Sequence, residues 1–465
     1  MAPRAARGGG RGASADRTVE GRRVRWRASA WPTLSAGRRG VISVAAGSAG
    51  GQVLALAAAP LLARLYRPAD FGHLTVVAAL AVTVGTVAAL RFEMAIPLAE
   101  QESVARALVG LGLVAVCATA GLGSVLVLLA GDEVARWFGQ PELAPWLWVV
   151  PPSAAAMGVV LVLNQLAVRH RRYGAIGRRN LFQSAGVVVT QIVAGVAGLR
   201  TGGLTLGFGF GQVVAAVVLL RDASGQGVAV KADHGPRRLL AVARRYRRFP
   251  LLMAPSGLLN ILGTQLPVLL IAFWYGSAVA GWLGLTQRVI AMPAALVASA
   301  VAQVYLAEIA RTAREAPAGS RRVFVSASRK LALIAAVSAL AVVVGAPGVF
   351  SLIFGPQWHS SGSFAQGMAV FMAAQFIASP LSQTLVVFER QGLQLAWDVG
   401  RLVAVAGAVS LVALLGGSPL VAIWAFGIAG ALTYGVGWLM SLRVVTVASR
   451  AGRESRSRPQ LVPQS

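Results

Sequence analysis

Long apolar runs, each ended by a short polar or basic stretch, follow one another along the chain. A bilayer core of about 30 Å requires roughly 20 apolar residues at 1.5 Å of helical rise each. Twelve segments satisfy this: 41–63, 73–92, 105–130, 144–168, 179–199, 203–220, 250–273, 279–306, 330–354, 364–388, 393–415 and 419–442. Within lipid every backbone N–H and C=O needs an internal partner, which leaves helices or closed barrels. Barrel strands alternate apolar and polar positions, whereas these runs are unbroken. The pattern therefore predicts an all-α polytopic membrane protein with 12 transmembrane helices.

Composition supports the same class. The chain has 465 residues, 56% apolar and 13% charged, with a mean hydropathy of +0.67. Soluble domains carry about 25% charged residues, and disordered chains are poor in apolar ones, so both are excluded. The formal charge of +27 would suit a nucleic-acid binder, but its distribution points elsewhere. With the amino terminus placed in the cytosol, 37 of the 43 Lys and Arg residues fall on the cytosolic side. Arg64, Arg67, Arg136 and Arg200 fall outside, and Arg288 and Arg401 lie within spans. This is the loop asymmetry that orients membrane proteins, so no nucleic acid is expected as a partner. The sequence thus predicts a multi-pass membrane protein with both termini cytosolic.

Residues 1–40 contain ten arginines, among them Arg22 and Arg23, and are expected to form a disordered basic cytosolic arm. No signal peptide is read here, because the first apolar run is span-length. Residues 221–249 form a basic cytosolic linker dividing the spans six and six, and 443–465 a basic tail; both would attract anionic lipid. Cys117 stands alone, so no internal disulfide is expected.

The two sets of six spans echo each other. A shift of 218 residues aligns Leu163, Gln165, Val168, Arg172 and Gly174 with Leu381, Gln383, Val386, Arg390 and Gly392. A shift of 216 aligns Phe138-Gly139 with Phe354-Gly355. Two pseudo-symmetric six-helix lobes, 41–220 and 250–442, follow. Such repeats are used by secondary transporters, which place substrate between the lobes.

Charges within hydrocarbon are costly and usually face a cavity or a partner. Arg288, beside Gln287 and near mid-bilayer, is the clearest: its planar fork could hold a phosphate or diphosphate, or pair with another helix. Arg91 and Glu93 end the second span, the first a further cavity candidate and the second a candidate for ion coupling. Asp398, the other coupling candidate, is three residues from Arg401 on one helical face, where the two can pair. Gln52, Asn260, Gln265 and Gln287 could line a sugar-binding cavity, although intramembrane amides also tie helices together. The four histidines are scattered without metal-ligand spacing, and no phosphate loop with a Lys-Ser/Thr pair is present. Hence no enzyme activity, metal or cofactor is expected, and an ion gradient is the natural energy source.

Several motifs recur in a fixed order. They are Leu62-Ala63-Arg64-Leu65-Tyr66-Arg67-Pro68-Ala69-Asp70-Phe71-Gly72, Arg91-Phe92-Glu93-Met94-Ala95-Ile96 and Arg247-Arg248-Phe249-Pro250, followed by Gln265-Leu266-Pro267, Ala280-Gly281, Arg288-Val289-Ile290-Ala291-Met292-Pro293 and Phe354-Gly355-Pro356-Gln357-Trp358. In these the chain resembles the Wzx-type polysaccharide flippases of the multidrug/oligosaccharidyl-lipid/polysaccharide exporter (MOP) superfamily. The resemblance implies two lobes forming a V around a cationic cavity. It also implies an undecaprenyl-diphosphate-linked oligosaccharide as substrate, moved from the cytosolic to the outer leaflet of the bacterial cytoplasmic (inner) membrane, and membrane lipids and other polysaccharide-assembly proteins as partners. The alternatives are a membrane-embedded glycan polymerase or ligase, which would need a larger outer loop than 131–143, and a drug/cation or lipid II transporter of the same superfamily.

Overall fold

The computed structural model describes residues 31–225 and 235–457, and all regular structure among them is helical. The elements are α1 (Trp31–Leu65), α2 (Pro68–Val87), a 3-10 segment (Phe92–Leu98), α3 (Glu102–Trp137), α4 (Ala144–Leu147), α5 (Val150–Arg169), α6 (Tyr173–Val196), α7 (Arg200–Ser224) and α8 (Pro236–Arg245). They continue with α9 (Ala254–Glu315), α10 (Ser320–Phe354), α11 (His359–Leu381), α12 (Gln383–Val387), α13 (Gln391–Leu414) and α14 (Pro419–Ser457). Most of the arm, 1–30, and part of the linker, 226–234, lie outside the described residues.

Ten stretches are long and apolar enough to cross a membrane. Two features reconcile this number with the twelve spans of the sequence. Helix α6 carries Arg178, Arg179, Asn180, Gln183 and Gln191 and is not among the ten, yet it is 24 residues long. Helix α9, 62 residues, holds the seventh and eighth spans in one element, broken at Gly276 (φ 83°, ψ −179°). That backbone region is open only to glycine at low cost, so one residue reverses the chain where a loop was expected.

Helix ends outrun the apolar runs. α3 continues to Trp137 through Asp132, Glu133 and Arg136, with Glu133 and Arg136 paired one turn apart. Much of the expected outer loop at 131–143 is thus helical. Likewise α1 starts at Trp31, within the expected disordered arm, α6 at Tyr173, and α14 reaches Ser457. Hydropathy marks where lipid ends, whereas a helix persists as long as its residues tolerate it. The linker contains α8, an amphipathic helix with arginines at both ends.

The two halves meet along α2 and α9. Gly72 faces the carbonyl of Ser277, Gly281 faces the carbonyl of Pro68, and a methyl group at either glycine would overlap that oxygen. At the same end Trp358 and Gln357, from the short turn between α10 and α11, both donate to the Ala63 carbonyl at 2.9 Å. Phe71 packs edge-on against Trp358, with centroids 4.9 Å apart. The Phe-Gly-Pro-Gln-Trp motif of the second half is therefore docked on the Leu-Ala-Arg-Leu-Tyr motif of the first. This closed end lies opposite the linker.

Candidate functional site

Arg91, Arg401, Arg179 and Arg288 sit within the helical bundle or at its edge, and their partners differ. Arg91 follows Leu90 into the left-handed region (φ 61° and 49°), a conformation that non-glycine residues hold only when the surroundings impose it. Here the surroundings include Arg169 of α5, whose guanidinium bonds the Ile96 carbonyl at 3.0 Å and Glu102 at 3.1 Å. The strained turn carries Arg91 to Glu93, 3.7 Å away, and against the backbone of Gly257 at the start of α9. Glu93 has a side chain only 2% exposed, with one carboxylate oxygen lacking a partner. Burial pushes its pKa above the ordinary glutamate value, against the opposing pull of its own backbone N–H and of Arg91.

Arg401 is buried in the second half. It lies 3.4 Å from Asp398, donates to the Tyr434 hydroxyl at 2.8 Å and stacks on the rings of Trp397 and Tyr434. Gln375 donates to the same hydroxyl at 3.0 Å. One arm of this group opens on a cavity of about 190 Å³ that Gln265 and Gln287 also line.

Arg179 and Arg288 are different. Each is half-buried, its Nε enclosed without a hydrogen-bond partner, and neither forms an ion pair among the described residues. Arg179 reaches Gln183 at 2.9 Å, and Gln183 in turn reaches Gln212. The buried carboxylates Glu93 and Asp398 are each paired with an arginine, and Asp70, in the first turn of α2, accepts the Arg67 backbone N–H at 2.9 Å, whereas these two cations face no carboxylate among the described residues.

Of the residues singled out in the sequence, the structure gathers Gln265 and Gln287 into one cavity, with Asp398 behind its Arg401 wall. Arg91 and Glu93 stand together at the α9 start. Arg288 does not line the cavity of its neighbour Gln287. Gln52 lies half-buried on α1 with its carbonyl unpartnered, and Asn260 is exposed. Arg179 was not anticipated, being read as a span boundary; its spacing of four from Gln183 was the available signal. Trp397 is four residues before Arg401 on α13, a spacing that was the available signal, whereas Tyr434 carries none, because only the crossing of α13 and α14 brings it to Arg401. Among the described residues no cluster of metal-ligating side chains occurs.

Comparison with solved structures places this architecture. The lipid II flippase MurJ in an inward closed conformation superposes with a TM-score of 0.68 at 12% identity, covering 89% of this chain and 91% of that one. An inward-facing MATE-family multidrug transporter of the MOP superfamily gives 0.60 at 15%, covering 90% and 95%. A MOP superfamily transporter from Pyrococcus furiosus, described as having a binding pocket of reversed polarity, gives 0.59 at 16%, covering 89% and 96%. At such identities the likeness establishes the fold. No curated protein matches in sequence. A family model described as polysaccharide biosynthesis protein matches residues 61–363, about two thirds of the sequence, and the chain, which shares the fold of these transporters, therefore belongs to that family.

Proposed function

We propose that the protein is a flippase that moves a lipid-diphosphate-linked oligosaccharide across the bacterial cytoplasmic membrane by alternating access, for cell-surface polysaccharide assembly. The observation that carries this reading is the charge balance inside the bundle: Glu93 and Asp398 are each paired with an arginine and Asp70 accepts the Arg67 backbone N–H, while Arg179 and Arg288 have no carboxylate partner among the described residues. A fixed cation in a low-dielectric setting is expensive unless it serves a ligand or cavity, and a planar fork suits a diphosphate. Membership of a polysaccharide biosynthesis family favours a glycan carrier over a drug substrate.

In this reading Arg288 attracts the diphosphate. Arg91, already engaged by Glu93 and by the Gly257 backbone, positions the end of the bundle that faces the linker. The halves rock about the α2–α9 seam, where Val76 and Val77 of the first half share a buried apolar cluster with Ala272 and Ala280 of the second and so act as the pivot. Glu93, held ready to take a proton by burial, is the first candidate for ion coupling and Asp398 the second. The test is Arg288→Ala and Arg288→Lys in vesicles containing a lipid-linked glycan, following its appearance in the opposite leaflet with an impermeant glycan-modifying enzyme. Alanine is expected to reduce flipping at least tenfold and lysine to restore part of it. Unchanged flipping by the alanine variant at equal protein level would remove Arg288 from the mechanism.

A further inference from the structure

The cavity inside the second half has a composition that selects among ligands. Its polar lining is Thr264, Gln265 and Gln287 from the two arms of α9, Gln375 from α11 and Arg401 from α13, the Thr264 hydroxyl already donating to the Ile261 carbonyl. Phe371 and Phe426 add apolar surface, their rings 5.3 Å apart. The volume is about 190 Å³, a space for one ring with its substituents rather than for a chain.

Net charge is the first discriminator. Arg401 supplies a positive group, but Asp398 stands 3.4 Å from it and the Trp397 and Tyr434 rings flank it at 4.8 and 5.5 Å. As a unit the pair is neutral. An incoming anion would compete with a carboxylate already in place, and an incoming cation would meet the guanidinium.

Hydrogen-bonding capacity is the second. Arg401 is 7% exposed, and its Nε–H is buried without a partner. The amides offer both donors and acceptors. A neutral wall that gives and takes hydrogen bonds beside aromatic faces is complementary to a ring bearing several hydroxyls, each of them donor and acceptor, with C–H surfaces between.

We propose that this cavity is a sugar subsite, taking one neutral, hydroxyl-rich monosaccharide ring. The inference rests on the flippase reading for its biological sense, placing one sugar of the glycan within the second half and the diphosphate at Arg288, the residue after Gln287. It also assigns Gln375, Gln287 and Arg401 as specificity-determining groups.

The test uses the full-length protein in nanodiscs and saturation-transfer NMR. The probes are methyl glycosides of glucose, galactose, mannose and rhamnose, with inorganic diphosphate and tetramethylammonium as charged competitors. At least one glycoside should bind saturably and resist both competitors. Gln375→Leu and Gln287→Leu should each weaken it about tenfold, equivalent to roughly 1.4 kcal/mol, while Leu411→Ala, on the exposed side of α13, should leave it unchanged. If Gln375→Leu unfolds, Gln265→Leu serves in its place. Absence of saturable binding to all four glycosides, displacement by diphosphate, or affinity insensitive to the cavity variants would overturn the assignment. Sugar binding without flipping in vesicles would leave the subsite standing and remove the flippase reading; flipping without sugar binding would do the reverse.

Discussion

Arg401 shows what an interior charge requires: a carboxylate, a hydroxyl and two aromatic faces converge on one guanidinium. Removing one member of such a buried pair typically costs about 3 to 5 kcal/mol, because the other is left uncompensated. Arg401→Leu is therefore expected to lower the thermal unfolding temperature in detergent markedly, and the double variant with Asp398→Leu to recover much of the loss. At Glu93 the prediction concerns pH. Burial raises its pKa, so the folded protein is disfavoured by its charged form. That penalty is absent below the ordinary glutamate value of about 4.3 and is fully present above the raised pKa. Glu93→Gln should flatten this part of the stability–pH profile, and under the proposed coupling it should also remove the pH dependence of flipping. Residue-level legibility was uneven. The i,i+3 spacing of Asp398 and Arg401 makes a local contact readable from the sequence, whereas Arg91 resting on Gly257 joins residues more than 160 positions apart, which no periodicity encodes.

At the scale of elements, the decisive feature is the break in α9. Gly276→Ala places a Cβ in a backbone region that costs on the order of 1 to 3 kcal/mol for other residues, and its expected outcome is a lower unfolding temperature with the helical content retained. The α2–α9 seam gives a sharper test. Gly281→Val would drive its side chain into the Pro68 carbonyl, so the closed end should open. The measurement is the distance distribution between spin labels on α2 and on the second arm of α9, which should broaden and lengthen against the parent protein. Apolar run lengths indicate where helices cross lipid, but not where they stop, since α3, α9 and α14 all continue past their spans through stretches that contain charged residues. The run at 179–199 does indicate α6, but it falls short of the ten most apolar stretches, because polar groups that serve its packing against α1 and α7 lower its hydropathy.

For the whole molecule, the basic residues make a prediction about sidedness. In a Cys117→Ser background, single cysteines at Gly198 and Gly416 are expected to react with an impermeant maleimide in intact cells, and one at Ala316 only after permeabilisation; the opposite pattern would reverse the assigned orientation. The sequence by itself determined the membrane class, the helical fold and the division into two sets of six, because each follows from local quantities: the apolar length needed to cross a bilayer, the need to satisfy backbone groups within one segment, and the repeat of short motifs at a nearly constant offset. Tertiary structure alone decided which interior charges are matched and which keep unpartnered nitrogens, that Gln265, Gln287, Gln375 and Arg401 share one cavity, and that one end of the bundle is closed by Ala63, Trp358 and the glycine seam. Those outcomes depend on how helices distant in sequence cross and rotate against one another, a property of packing among many side chains that no single segment carries.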